Sequence, residues 1–133
     1  ACGDYSTDDT NVISKEVADL VPKDLELVYW DYYSDKQEHY DDMIYNHKQL
    51  WDDIWFAGAV WGWQGFMPLN EYSIKNSVPA INSCKKNKIK NIFITMWGDD
   101  GGECPHFAML PSLLYVLYFC TFYLLPFGSK YSI

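Results

Sequence analysis

Indole rings recur at three points along the chain, and acidic side chains accompany two of them. The three groups are Tyr29-Trp30-Asp31, Trp61-Gly62-Trp63 and Trp97-Gly98-Asp99-Asp100. Flat aromatic rings stack on the C–H faces of a sugar, whose hydroxyl groups donate hydrogen bonds to carboxylates. The combination therefore predicts a carbohydrate-binding site.

A predicted β-strand positions each of the three groups. Apolar runs at 25–28, 54–60 and 89–96 precede them directly, and a helical pattern follows each after a short polar stretch. Strands that alternate with helices run parallel, and the loops at their carboxyl ends meet on one ligand-binding face. We therefore expect three separate strands to bring these side chains to one place.

The wider pattern predicts an α/β fold in the order α-βα-βα-βα. Ser14, Ser34 and Ser73 are the predicted N-caps of the first three helices. The predicted helices cover 14–21, 34–50, 73–86 and 105–119, and the predicted strands cover 25–30, 54–60 and 89–96.

Composition excludes several classes of partner. The 133-residue chain is long enough for one domain with a modest core. Its net charge of −8 argues against nucleic acid, because phosphate binding needs clustered cations. All ten basic residues are lysine, so no arginine is present to grip a carboxylate or phosphate. The four cysteines lack metal-ligand spacing and residues 1–11 are polar, so we expect reduced thiols in a cytoplasmic protein.

One apolar segment offers a competing interpretation. Residues 107–127 carry no charged side chain and are numerous enough to span a bilayer. However, Pro111 and Pro126 interrupt the segment, and its first part fits a buried helix that closes a β/α unit. We therefore favour a buried helix over a membrane span.

The aromatic and acidic candidates also have purely structural interpretations. Tyr29 could pack under a helix while Asp31 caps a turn, and Trp61 and Trp63 could be core residues. Alternation along a strand puts residues 29 and 31 on the same side, which favours a joint role. Gly62 and Gly65 favour a shaped loop that another surface approaches closely, and a sugar ring could be that surface.

No metal or other cofactor is predicted. The loop after the third strand holds four potential ligands, Asp99, Asp100, Glu103 and His106. Their spacing fits no calcium loop, and the acids could equally cap the following helix or face a ligand. His39 and His47 fall on the predicted second helix, away from the strand ends, and are predicted to be ordinary helix residues.

Three stretches together resemble glycoside hydrolase family 20, the β-N-acetylhexosaminidases, and most closely its intracellular bacterial branch. The stretches are 27–34, 56–66 and 95–104. The family's catalytic domain is a (β/α)8 barrel, so the resemblance implies a partial barrel made of its last three β/α units. Residues 1–119 would form this C-terminal portion, and residues 120–133 would be a divergent apolar tail.

The resemblance implies six substrate-binding residues, namely Tyr29, Asp31, Trp61, Trp63, Trp97 and Asp99. Tyr29 would donate to the acetamido carbonyl of the substrate, and Asp31 would hold ring hydroxyls. Trp61 and Trp63 would wall the pocket, with the question of which one faces the sugar left open. Trp97 would form the stacking floor. Asp99 would bind hydroxyls at the non-reducing end, although the family often has glutamate there.

The family mechanism is substrate-assisted, because the acetamido oxygen attacks the anomeric carbon. An aspartate orients the acetamido group and the neighbouring glutamate protonates the leaving oxygen. No Asp-Glu dipeptide occurs in this chain, so no catalytic residue is predicted in it. We expect a fragment of a hexosaminidase with negligible turnover of its own.

The expected ligands are glycans that end in N-acetylglucosamine or N-acetylgalactosamine. A non-catalytic carbohydrate-binding module is the main alternative, and a membrane-tethered structural protein is a third. An open three-stranded sheet leaves two edges and an apolar face uncovered, so we expect the isolated chain to associate with itself.

Overall fold

The computed structural model describes residues 14–22, 24–99 and 101–124. A 3-10 turn, His106–Met109, precedes the last helix. The other elements, in chain order, are α1 (Lys15–Asp19), β1 (Val28–Trp30), α2 (Gln37–Lys48), β2 (Trp55–Ala59), α3 (Asn70–Lys86), β3 (Ile92–Thr95) and α4 (Leu110–Leu124). This order confirms the predicted alternation of helices and strands.

The three strands form one parallel sheet in the order β1-β2-β3. Tyr29 lies opposite Phe56, and Phe56 lies opposite Ile92. The mixed α/β class with parallel strands is therefore confirmed. Within the described residues β1 and β3 are the edge strands.

Helices cover one face of this sheet. Tyr29 of β1 and Phe56 of β2 both point to that face, because they are partners in the register of the two strands. There they join a buried cluster with side chains of the helices, including Tyr40 and Ile44 of α2 and Ala80 and Cys84 of α3. Next to it, Val60 packs with Met109, Ile94 and Leu113, which brings α4 against the same face.

The opposite face of the sheet is open to solvent. Val28, Trp30 and Phe93 point to it and are 42%, 45% and 41% exposed. Trp55 is half-buried, and its ring meets the ring of Phe93 edge-on with centroids 6.4 Å apart. The sheet and the helices α2, α3 and α4 therefore form two layers, with these three helices on one side.

The predicted helix starts were correct for α1 and wrong for α2 and α3. Ser14 caps α1, with its Oγ accepting from the Val17 amide at 3.4 Å. Ser34 Oγ instead accepts from the Lys36 amide, so it closes the turn before α2. Ser73 lies inside α3, where its hydroxyl donates to the Leu69 carbonyl and accepts from the Trp61 amide, both at 2.8 Å.

The length of the last helix can be compared with the interpretation of residues 107–127 as a membrane span. α4 has 15 residues, and no helix among the described residues is long and apolar enough to cross a membrane. Because α4 continues to Leu124, the predicted boundary between residues 119 and 120 falls inside a helix. The rest of the predicted tail, residues 125–133, lies outside the described part of the chain.

Candidate functional site

Aromatic rings from all three strand ends meet in one continuous series. The ring of Trp97, after β3, lies 6.4 Å from that of Trp30, the last residue of β1. Trp30 lies 6.0 Å from Tyr32, and Tyr32 lies 5.3 Å from Trp63 in the loop after β2. The carboxyl ends of the parallel strands thus deliver these side chains to one place.

The most exposed part of the series is a pair of indoles that we call the aromatic corner, Trp30 and Trp97. Their side chains are 45% and 39% exposed, and their ring planes meet at 63°. Trp30 belongs to the first of the three aromatic groups, but it is not among the six predicted substrate-binding residues, which include Tyr29 and Asp31 on the opposite side of the strand. The alternation of side chains was the signal that could have found it.

The two tryptophans after β2 have different roles. Trp61 is buried, and its indole Nε1 donates to the Tyr32 carbonyl at 3.1 Å. Trp63 stacks on it with centroids 4.2 Å apart and stays half-buried. Trp63 is therefore the more accessible of the two, and Trp61 supports it from the core.

Gly62 permits this arrangement by leaving room for a neighbouring side chain. A Cβ at position 62 would lie 2.1 Å from Met109 Sδ, and Met109 is fully buried. The surface that approaches Gly62 closely is therefore the core methionine before α4 and not, as the sequence suggested, a sugar ring.

The carbonyl of Tyr32 ties the end of β1 to the rest of the site. It accepts from Trp61 Nε1 and from Asn76 Nδ2 of α3, both at 3.1 Å. Asn76 Oδ1 faces away from that bond and is buried without a donor among the described residues. Asn76 and Asp31 both line a narrow cavity between the sheet and α3.

Tyr29 and Asp31 lie on the same side of β1, as alternation predicts. The Tyr29 hydroxyl donates to Asp31 Oδ2 at 2.8 Å, and the Tyr33 amide donates to Asp31 Oδ1 at 3.0 Å. Tyr29 is only 3% exposed. Tyr29 packs under the helices, as the structural interpretation predicts. Asp31 caps a turn, which is also structural, but its carboxylate stays partly exposed, as a ligand-binding role requires.

Burial controls the ionisation of this tyrosine. Removal from solvent, reinforced by the neighbouring Asp31 carboxylate, raises the pKa of Tyr29 far above its ordinary value. The phenol therefore stays protonated at neutral pH and donates its hydrogen bond to Asp31.

His39 contradicts the prediction that it lies away from the strand ends. Its Nε2 is 2.7 Å from Asp31 Oδ2. Because α2 begins at Gln37 rather than Ser34, His39 falls in its first turn, close to the end of β1. His47 is an ordinary helix residue as predicted, with Nδ1 2.7 Å from the Met43 carbonyl and its ring 4.6 Å from that of Tyr29.

Asp99 is exposed in a turn two residues beyond Trp97. Its carbonyl accepts from the Gly102 amide at 3.2 Å, and Gly101 and Gly102 have φ angles of 98° and 63°. Such left-handed backbone favours glycine. Asp100, a further predicted candidate, lies outside the described residues. Nowhere in the described part of the chain do three His, Cys, Asp or Glu side chains gather as a metal site requires.

No protein-family model matches the chain, and no curated protein matches it. The assignment of chemistry therefore depends on the geometry above. An exposed pair of angled indoles can stack on an apolar ring face, and a partly exposed carboxylate can accept from a hydroxyl.

Proposed function

We propose that the chain binds glycans that end in an N-acetylhexosamine, as the C-terminal part of a family 20 β-N-acetylhexosaminidase barrel. The observation that carries this proposal is the aromatic corner at the carboxyl ends of the strands. Two indole faces at a steep angle suit a sugar ring, which offers one C–H face and one edge to them.

Asp31 supplies the polar half of the proposed site. Two donors occupy its Oδ2 and one occupies its Oδ1. A carboxylate offers about four lone-pair positions, so roughly one acceptor position on Oδ1 is left for a hydroxyl of the ligand. The side chain is 13% exposed, which leaves that position a route to solvent.

The open face of the sheet supports the partial barrel. In a (β/α)8 barrel the helices lie outside and the other face of every strand points into a packed interior. Val28, Trp55 and Phe93 point to the face that α2, α3 and α4 leave uncovered. Further β/α units would bury them.

The proposed catalytic pair would have to come from such units. General acid–base assistance contributes about 10²- to 10⁴-fold to rate, so this chain should show negligible turnover without it. The test is hydrolysis of an aryl β-N-acetylglucosaminide, with the matching β-glucoside as control. Turnover of the acetamido sugar by the chain alone would overturn the fragment proposal.

A binding titration tests the site directly. We expect N-acetylglucosamine to perturb tryptophan fluorescence, and glucose to do so more weakly. Trp97→Ala should abolish the response, whereas Trp51→Ala, at the other end of the strands, should keep it, with thermal unfolding measured for both. No response in the wild-type chain would reject the proposal.

The alternative, a non-catalytic carbohydrate-binding module, predicts the same titration. The two differ when the upstream half of a family 20 barrel is added, because turnover should then appear only for an enzyme fragment. The cytoplasmic location is proposed on the thiols, since Cys84, Cys104 and Cys120 are all free.

We also propose that the isolated chain associates with itself. Two edge strands and an apolar sheet face are open within the described residues, and both features favour association. Light scattering at micromolar concentration should give a dimer or larger species, and a monodisperse monomer would contradict the proposal.

A further inference from the structure

The contact between His39 and Asp31 joins a helix to the end of a strand. His39 Nε2 lies 2.7 Å from Asp31 Oδ2, and the side chains are 27% and 13% exposed. At this distance and with this much shielding from water, a hydrogen bond to a carboxylate is among the stronger kinds in a protein.

The three donors to Asp31 come from different places. The Tyr29 hydroxyl and the Tyr33 amide belong to β1 and to the turn that follows it. His39 belongs to α2, which packs on α3 as well as on the sheet. It is therefore the donor that fixes the carboxylate relative to the helical layer rather than to its own strand.

Without His39 the carboxylate would be less well defined. Oδ2 would keep the Tyr29 hydroxyl and Oδ1 the Tyr33 amide, both from the chain segment around Asp31 itself, so the carboxylate could rotate together with that segment relative to α2. The free acceptor position on Oδ1 would rotate with it. A small loss of orientation is enough to weaken a directional hydrogen bond.

We propose that His39 is a positioning residue that holds Asp31 for a ligand hydroxyl. This inference deepens the proposed function and rests on it. Because a carboxylate accepts, His39 must carry its hydrogen on Nε2, which makes the tautomer a measurable part of the proposal.

The experiment is an NMR titration of the full chain with N-acetylglucosamine. His39→Leu removes the donor and should weaken binding about tenfold, in the range for hydrogen bonds to charged groups. His39→Gln supplies an amide donor and should recover affinity to within about threefold of wild type. Tyr45→Gln, at an exposed position of the same helix, is the control and should leave affinity unchanged.

A second measurement needs no ligand. Nitrogen-15 spectra of the wild-type imidazoles should show His39 protonated at Nε2, and Asp31→Asn should shift that resonance. A hydrogen on Nδ1 alone would overturn the positioning role.

The outcomes separate the inference from the proposed function. Equal affinity of wild type and His39→Leu would overturn the inference and leave the glycan site in place. Absence of binding by the folded wild-type chain would reject the proposed function, and the ligand role of His39 would fall with it.

Discussion

The two faces of the sheet differ although the same short strands build both. In β1, Tyr29 points to the helices and is 3% exposed, while its neighbour Trp30 points away and is 45% exposed. The helix-covered face has a closed core in which the polar atoms of Tyr29 and Tyr40 are hydrogen-bonded. The open face has large rings and no second layer among the described residues. An exposed apolar face of this kind is typical of an interaction surface.

The open face still has an internal order. In register across the sheet, Trp30 lies opposite Ala57, and Ala57 lies opposite Phe93. Ala57 is 3% exposed because the larger side chains around it cover it. The small residue on the central strand therefore forms the bottom of a shallow trough between two rings.

Matched truncations on the two faces give the sharpest test of this difference. Phe56→Ala opens a cavity in the helix-covered core and should lower the free energy of unfolding by about 3–5 kcal/mol. Phe93→Ala, on the open face, should cost about 1 kcal/mol or less. Urea unfolding at low protein concentration measures both. Equal costs would show that another part of the chain covers the open face.

Much of this contrast could be predicted from the sequence. The apolar runs and intervening helical patterns correctly indicated parallel strands whose carboxyl ends converge. Alternation correctly placed Tyr29 and Asp31 together. These features depend on local periodicity, which a single sequence carries.

The errors came from positions that tertiary contacts decide. Ser73 has the right type for an N-cap, but the Trp61 amide takes its hydroxyl as an acceptor and α3 starts one turn earlier. The same kind of shift at α2 moved His39 from the second turn to the first, next to Asp31. For Trp61 the sequence left both a pocket wall and a core position open, and the structure buries its indole, which donates to the Tyr32 carbonyl.

A substitution at Gly62 tests how closely the covered side is packed near the site. Gly62→Ala would force Met109 to move, since its sulfur occupies the place of the new Cβ. We expect a loss of about 1–3 kcal/mol, as overpacking typically causes. Thermal unfolding of the single variant and of Gly62→Ala with Met109→Ala checks this, because the second change should make the first one less costly. Strictly additive losses would argue against the close contact.

The contact between α2 and α3 should make the stability of the fold depend on pH in the acid range. Burial pushes the pKa of Asp41 up, but hydrogen bonds from Lys86, Ser83 and Asn87 outweigh it and hold the pKa below its ordinary value. The stability from these bonds is present above the ordinary pKa and is lost as pH falls through the lowered one.

Asp41→Asn should therefore cost about 1 kcal/mol at neutral pH, comparable with one net hydrogen bond. The difference from wild type should shrink between neutral pH and a pH below the lowered pKa of Asp41, where both forms are neutral. Urea unfolding midpoints at the two pH values measure this difference in stability. A difference that does not depend on pH would exclude the Asp41 carboxylate as its cause.

A charge on the open face should have the smallest effect on folding and a clear effect on assembly. Phe93→Lys places an ammonium group on a side chain that is 41% exposed, so its flexible stem can carry the charge into water. We expect a change of about 0.5 kcal/mol or less in the monomer, as for other surface substitutions. The charge should nevertheless oppose face-to-face association, because such a contact would bury an unpaired ammonium group at a high cost in free energy. Light scattering of both proteins at matched concentration checks the shift toward monomer. Association unchanged by Phe93→Lys would place the contact at the strand edges instead, and loss of folding would mean that the open face is already part of a core.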